Sequence, residues 1–239
     1  MKKKIRKPRK LRKFRSLPGI ALSLILVSLA SYSLGWSHLL AVKSIVINAG
    51  DEQSLIASAL IPRDVNVGQP MARINIAHIN RDLNNFSWIA QSHISRNWLS
   101  HKVSIDITSR KPVASFAGAD GSTHYLDING IDFQLPTAPS GIPAITFSQS
   151  NRASEEMAAL LVEQLPTDLI SGMSSLSISN AARAVMVTTV SGHANLTILW
   201  GDASQVPLKV NVLRHLLALP ENKKIVKVDL STPLAPLVK

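Results

Sequence analysis

The stretch VKSIVINAGDEQSLIASALIPRDVNVGQPMARINIAHINRDLNNFSWIAQSHISRNWLSHKVSIDITSR, residues 42–110, decides how this chain is read. Val42 to Ile47 form a β-branched run that reads as a strand. Asn48, Ala49 and Gly50 break it. Asp51 is placed to cap a helix, with Glu52 in its first turn. Leu55, Ile56, Ala59 and Leu60 give that helix one apolar face. Pro62 stops it, and Gly68 and Pro70 mark a loop. A second helix is expected over about Ile74–Asn85, where Ile76, Ile79, Leu83 and Phe86 recur at spacings of three, four and three. Trp88–Arg96 reads as a strand and Asn97–Ser100 as a turn. Val103, Ile105 and Ile107 then alternate with polar residues in a further strand. The order is strand, helix, helix, strand, strand. It describes an α+β module with two helices on one face of a three-stranded sheet.

Upstream, the chain changes character twice. Residues 1–15 hold ten of the 26 Lys and Arg and no acid. The rest carries 16 bases against 15 acids, so the net charge of +11 belongs to a tail and not to a folded face. A nucleic-acid-binding domain should be basic on its own account, and a basic arm without a helix-turn-helix makes a DNA-binding regulator a weak reading. From Ser16 to Val42 there is no charged residue. LPGIALSLILVSLASYSLGW, Leu17–Trp36, has the roughly 20 residues a membrane span needs. Tyr32 and Trp36 suit the far interface. An uncleaved signal anchor is the preferred reading. A signal peptide cleaved after Ala30, or a buried helix, are the alternatives. The positive tail fixes an anchor with its N-terminus in the cytoplasm, where the tail can lie on anionic lipid. The expected layout is a tail over 1–16, a transmembrane helix over 17–37, the α+β module over 40–110 and a second external unit over 111–239.

That second unit is mostly strand signal. Val113–Phe116 and His124–Leu126 flank the turn pair Asp120-Gly121. Asp127-Ile128-Asn129-Gly130 makes a turn before Ile131–Phe133, and Pro136, Pro139 and Pro143 mark a loop. A helix is expected over about Ser154–Leu165, with Met157, Leu160, Leu161 and Leu165 inward. Strands follow at Leu176–Ile178, Ala184–Val190 and Asn195–Trp200, with turns at Ser179-Asn180 and Ser191-Gly192. A last helix over about Val206–Leu219 has the stripe Val206, Val210, Leu213 and Leu217. Ile225–Leu230 and Leu234–Val238 read as closing strands. The whole suggests an antiparallel sheet carrying two helices.

Several of these phrases resemble the POTRA domain of bacterial cell-division proteins of the FtsQ/DivIB family. They are the opening strand, Gly68 before a polar loop, Trp88-Ile89, Ile94 to Leu99, and Arg110, Pro112 and Ala114 in an R-x-P-x-A exit. Leu99 departs from the proline that usually follows the tryptophan. The likeness continues through Tyr125–Gly130, Leu135-Pro136, Ile142-Pro143, Trp200-Gly201, Lys209 and Val228-Asp229-Leu230. The resemblance implies a bitopic division protein without enzymatic activity. Its implied partners are an FtsB/FtsL-type coiled-coil pair and, through it, the septal wall synthase.

No catalytic constellation competes with that reading. Cysteine is absent, and G-x-S-x-G, S-x-x-K, H-E-x-x-H and P-loop spacings do not occur. The seven histidines are scattered. His93 and His101 are the pair closest to meeting, and two ligands make a poor zinc site. No cofactor, metal, small-molecule substrate or nucleic acid is expected. An anchored or secreted envelope enzyme is the runner-up. Function should therefore lie in surfaces. The last strand has no successor, so it can form a sheet edge open to a partner strand. By resemblance the docking positions are Lys209, Val228, Asp229, Leu230, Thr232, Leu234, Pro236 and Val238. Pro233 and Pro236 cannot donate a backbone hydrogen bond, which shortens that docking or shifts it toward the helix around Lys209–Leu217. An edge of the first module is a candidate for a second partner.

Overall fold

The computed structural model describes residues 17–36, 40–50, 53–60 and 64–239. The tail, Asp51 and Pro62 lie outside them. Leu17–Trp36 is one helix, α1, of 20 residues. Its described side chains run from Gly19 to Tyr32, and Ile20, Leu22, Leu24, Ile25, Leu26, Val27 and Leu29 are all exposed. Ser23 donates its hydroxyl to the carbonyl of Ile20 at 2.8 Å, so this polar group is satisfied within the helix. Among the described residues, no helix is long and apolar enough to cross a membrane.

The rest of the described chain divides into two compact units. One takes the residues up to Leu83 together with Ser92–Ile107; the other takes Asn84–Gln91 and Thr108–Lys239. The elements spanning residues 44–109 are β1 (Ser44–Asn48), α2 (Gln53–Leu60), α3 (Ile76–Leu83), β2 (Ile89–Asn97) and β3 (Lys102–Ser109). The sheet order is β1-β3-β2, with β1 parallel to β3 and Ile47 opposite Ile105. This is the strand–helix–helix–strand–strand order expected. Parallel pairing is possible because a long crossover, two helices and β2, separates β1 from β3. In the first unit Ile47, Ile56, Ile79, Leu83, Val103 and Ile105 are buried. Of the apolar face expected on α2, Ile56 is buried, whereas Leu55 is 38% exposed. Arg96 reaches back to donate to the carbonyl of Met71 at 3.0 Å, and its guanidinium lies 5.4 Å from the Trp98 ring centre. The arginine before the tryptophan therefore ties the sheet to the turn ahead of α3.

The second unit holds two sheets, not one. β4 (Ala114–Ala117), β5 (Thr123–Leu126) and β6 (Asp132–Phe133) form an antiparallel three-stranded sheet. β7 (Thr146–Phe147), β8 (Met173–Asn180), β9 (Arg183–Val190), β10 (His193–Gly201), β11 (Lys227–Asp229) and β12 (Leu237–Val238) form the other. Its order is β12-β11-β10-β9-β8-β7. This sheet is mostly antiparallel, as expected, with two parallel junctions. β7 runs parallel to β8, and β10 runs parallel to β11. Each pair is separated in sequence by helical chain, and a crossover returns the strand in the same direction. The helices are α4 (Arg152–Gln164), α5 (Thr167–Ser171) and α6 (Val206–Ala218). The five-residue α5 is too short to show a period, so the sequence reading missed it, as it missed the two-residue β7. The β8–β9 turn falls two residues later than expected, at Ala181-Ala182.

Burial follows the stripe expected for α6: Val206, Val210, Leu213 and Leu217 are all inside. On α4 the inner side is Met157, Ala158, Ala159, Leu161 and Val162, whereas Leu160 is 48% exposed. The two alanines let the helix approach closely and turn Leu160 outward. Asn151 and Ser154 cap α4 reciprocally, at 3.1 and 3.0 Å. Gly130 has φ +67, and a Cβ there would meet the Glu156 backbone at 2.5 Å. Only glycine allows both this turn and that approach.

Asp127 organises the same turn. Its Oδ1 accepts from the backbone N–H of Asn129 and Ile131, both at 2.9 Å. Its Oδ2 accepts from Arg110 Nη1 at 2.6 Å, and Arg110 Nε donates to the carbonyl of Ser87 at 3.0 Å. The two motifs quoted separately from the sequence are thus halves of one partly buried pair.

Candidate partner-docking edge

β12 lies at one edge of the six-stranded sheet, as expected. It pairs antiparallel with β11, Val228 opposite Val238 and Asp229 opposite Leu237. Lys227 and Lys239 exchange both backbone hydrogen bonds, at 3.1 and 2.9 Å. Alternation along an antiparallel pair then turns the N–H and C=O of Val238 away from β11. Pro236 shares that outward parity and offers only its carbonyl. The open backbone of the edge is therefore one donor and two acceptors.

The edge is shorter than the sequence suggested. Ala235 N–H donates to the carbonyl of Thr232 at 3.0 Å, so Thr232–Ala235 is a turn with Pro233 at its second position. Thr232 and Leu234 therefore lie in that turn and not in the strand. Asp229 supports the approach to the turn by accepting from Ser231 N–H at 2.9 Å. Leu234, Leu237 and Val238 are 86%, 70% and 42% exposed, and Val226 nearby is 62% exposed. Four cations, Lys223, Lys224, Lys227 and Lys239, are also exposed on this stretch.

Val228 and Leu230 are fully buried and hold β11 to the core. Leu230 N–H donates to the carbonyl of Leu199 at 2.8 Å, and Thr197 N–H to that of Val226 at 2.9 Å. Asn222 anchors the turn after α6: its side chain donates to the carbonyl of Leu216 at 2.9 Å, and its own carbonyl meets His193 Nε2 at 3.0 Å.

Lys209 is 1% exposed. Its Nζ donates to the carbonyls of Trp200 and Asp202, at 2.7 and 2.9 Å, and to the Asp202 carboxylate at 3.1 Å. The ammonium is therefore spent inside the fold, clasping the end of β10 to α6. The outward side of α6 instead carries a shallow groove lined by Leu208, Val212, Leu216 and Leu219. The sequence reading named the helix but not this face.

The Asp202 carboxyl is held down to about 2, first by the Ser204 hydroxyl and then by Lys209. Its ordinary value is 3.8. A carboxyl depressed by folding stabilises fully above about pH 4 and loses that contribution as the pH falls toward 2. Between these values the thermal midpoint of the parent should fall more steeply than that of Asp202→Asn. Parallel melts across that window check this, and equal slopes would remove Asp202 from the acid response.

Taken together, the described residues define an α+β protein of two compact units whose second unit ends in a short, apolar, partly open strand edge. The chain is 27% identical over 223 residues to the cell division protein FtsQ of Mycobacteroides abscessus, a match covering 92% of this chain and 68% of that protein. This supports the FtsQ/DivIB resemblance read from the sequence. No protein-family model matches the chain.

Proposed function

We propose that this protein is a non-enzymatic, bitopic member of the bacterial division machinery. On this reading a POTRA domain occupies about 40–110 and an FtsQ-type β domain 111–239. The observation that carries the reading is similarity to a cell division protein FtsQ along nearly the whole chain. α1 is the membrane anchor. This reading rests on the sequence: Leu17–Trp36 is a stretch of 20 residues without a charge, the length a span needs. Its described apolar side chains, from Ile20 to Tyr32, are exposed, which suits lipid and not water. The basic tail stays in the cytoplasm beside anionic lipid.

Outside the membrane, β12 accepts an extended segment of a membrane-anchored partner of the FtsB/FtsL type. Val238 supplies the donor, and Leu234, Leu237 and Val226 supply apolar contact. The α6 groove extends the surface. Val228, Asp229, Leu230 and Lys209 support the edge from behind and do not touch the partner. By this contact the protein helps to recruit and regulate the septal wall synthase.

A fluorescent fusion on the cytoplasmic tail tests the role in dividing cells. The fusion should concentrate at the division site. Even distribution over the envelope throughout the cell cycle would overturn the proposal.

A further inference from the structure

We infer that Asp64, His78 and Asp82 form a binding site for a divalent transition metal of the zinc type, in the first unit and apart from the docking edge. His78 and Asp82 stand four residues apart on α3, so they share one helix face. Asp64 reaches the same point from the loop before Met71–Arg73. His78 Nδ1 lies 3.4 Å from Asp64 Oδ1 and 3.4 Å from Asp82 Oδ2. One ligand atom from each of the three residues falls within 4.8 Å of the others.

Two observations separate this group from an ordinary histidine–carboxylate contact. The first is spacing. His124 Nδ1 closes on Asp132 Oδ1 at 2.7 Å, while its Nε2 stands 3.3 Å from Asp120 Oδ1. His78 Nδ1 has not closed on either carboxylate and has no hydrogen-bond partner. A separation of 3.4 Å is long for a charge-assisted hydrogen bond. It matches the edge, about 3.3–3.4 Å, of a zinc tetrahedron with bonds of about 2.0–2.1 Å.

The second is burial. The Asp64 side chain is only 11% exposed, and its Oδ2 is shut off from solvent without a hydrogen-bond partner. His78 Nδ1 is equally shut off, although the side chain as a whole is 41% exposed. Buried polar atoms in this state are costly, and a cation between them would satisfy both.

The donor set selects the class of ion. One imidazole and two carboxylates suit zinc and its first-row neighbours. Calcium and magnesium prefer all-oxygen shells with more ligands. The two carboxylates would draw together on the ion, and water would complete the fourth position. The loop carrying Asp64 continues to Gly68 and Gln69, which exchange backbone hydrogen bonds with Val42 at 2.8 and 2.9 Å. A bound ion would therefore clip α3 to the segment that begins the sheet, and its affinity would add to the stability of this unit.

The test uses the full-length chain in detergent micelles, without a polyhistidine tag, titrated calorimetrically with zinc, calcium or magnesium. One zinc per chain should bind, with a rise in thermal midpoint. His78→Ala and the isosteric Asp64→Asn should each weaken binding at least about tenfold, since even an outer-shell partner is worth about 10–100-fold. His124→Ala should bind as the parent does. Circular dichroism of the metal-free variants checks that they fold. Absence of saturable zinc binding would overturn the site. So would binding that survives both substitutions, or a preference for calcium or magnesium.

Discussion

Replacing Val238 by proline should cut capture of the partner proteins roughly tenfold or more, while leaving the thermal midpoint within about 2 °C of the parent's. The N–H removed points away from β11 and takes no part in the ladder. Lys239 and Lys227 carry the pairing inside the fold. Leu237, as the residue before proline, is already extended, which is the conformation that proline requires of its neighbour. The fold should therefore tolerate the change. A partner strand would not, because its carbonyl would lose the one donor the edge offers. Leaving such an acceptor unsatisfied costs about 1–3 kcal/mol, or roughly five- to over a hundredfold in affinity. Co-purification with membrane-anchored division proteins, compared between Val238→Pro and parent, reads the effect. A chain ending at Leu230 should lose capture too, but it also uncovers β11, so the proline is the cleaner variant. Undiminished capture by Val238→Pro would rule out strand addition at this edge and turn attention to the α6 groove.

Lys209→Met should lower the thermal midpoint by roughly 5–10 °C. Methionine can fill the channel of the lysine stem, but it leaves the carbonyls of Trp200 and Asp202 without their donor. Bonds from a charged donor contribute about 1.5–3 kcal/mol each, and relaxation will recover part of that. A net loss of about 2–3 kcal/mol in a unit of this size gives the stated shift. The Asp202 side chain is 51% exposed, so the ion pair itself adds little. Partner capture below the midpoint should persist, because the ammonium faces the core. Differential scanning calorimetry and the capture assay separate the two effects. A melting temperature within 1 °C of the parent's would contradict the clasp, and lost capture in a fully folded variant would return Lys209 to the interface.

Elements that carry their own period were legible. The stripe Val206, Val210, Leu213 and Leu217 went inside as read, and so did the alternating pair Val103 and Ile105. What escaped depends on partners distant in sequence. Arg110 and Asp127 were visible as separate motifs, but their bond joins two turns that no spacing rule connects. Lys209 was noticed, yet a lysine's burial is decided by the carbonyls it meets. The closing strand was extended too far because Thr232–Pro236 contains apolar residues without turning signals except its prolines. Those were read as missing donors and not as a bend. The trio Asp64, His78 and Asp82 was passed over because only histidine pairs were sought. The i, i+4 step from His78 to Asp82 was the available signal.

The parallel junction between β10 and β11 also bears on the order of assembly. An antiparallel hairpin can zip from its turn, but β11 cannot join β10 until the chain has travelled back along α6. That return is stable only when Val206, Val210, Leu213 and Leu217 have found the core. β12 in turn has nothing to pair with before β11 is seated. The candidate docking edge is thus the last part of this sheet to form. An unfinished molecule presents no edge, so binding at β12 would select chains whose folding is complete.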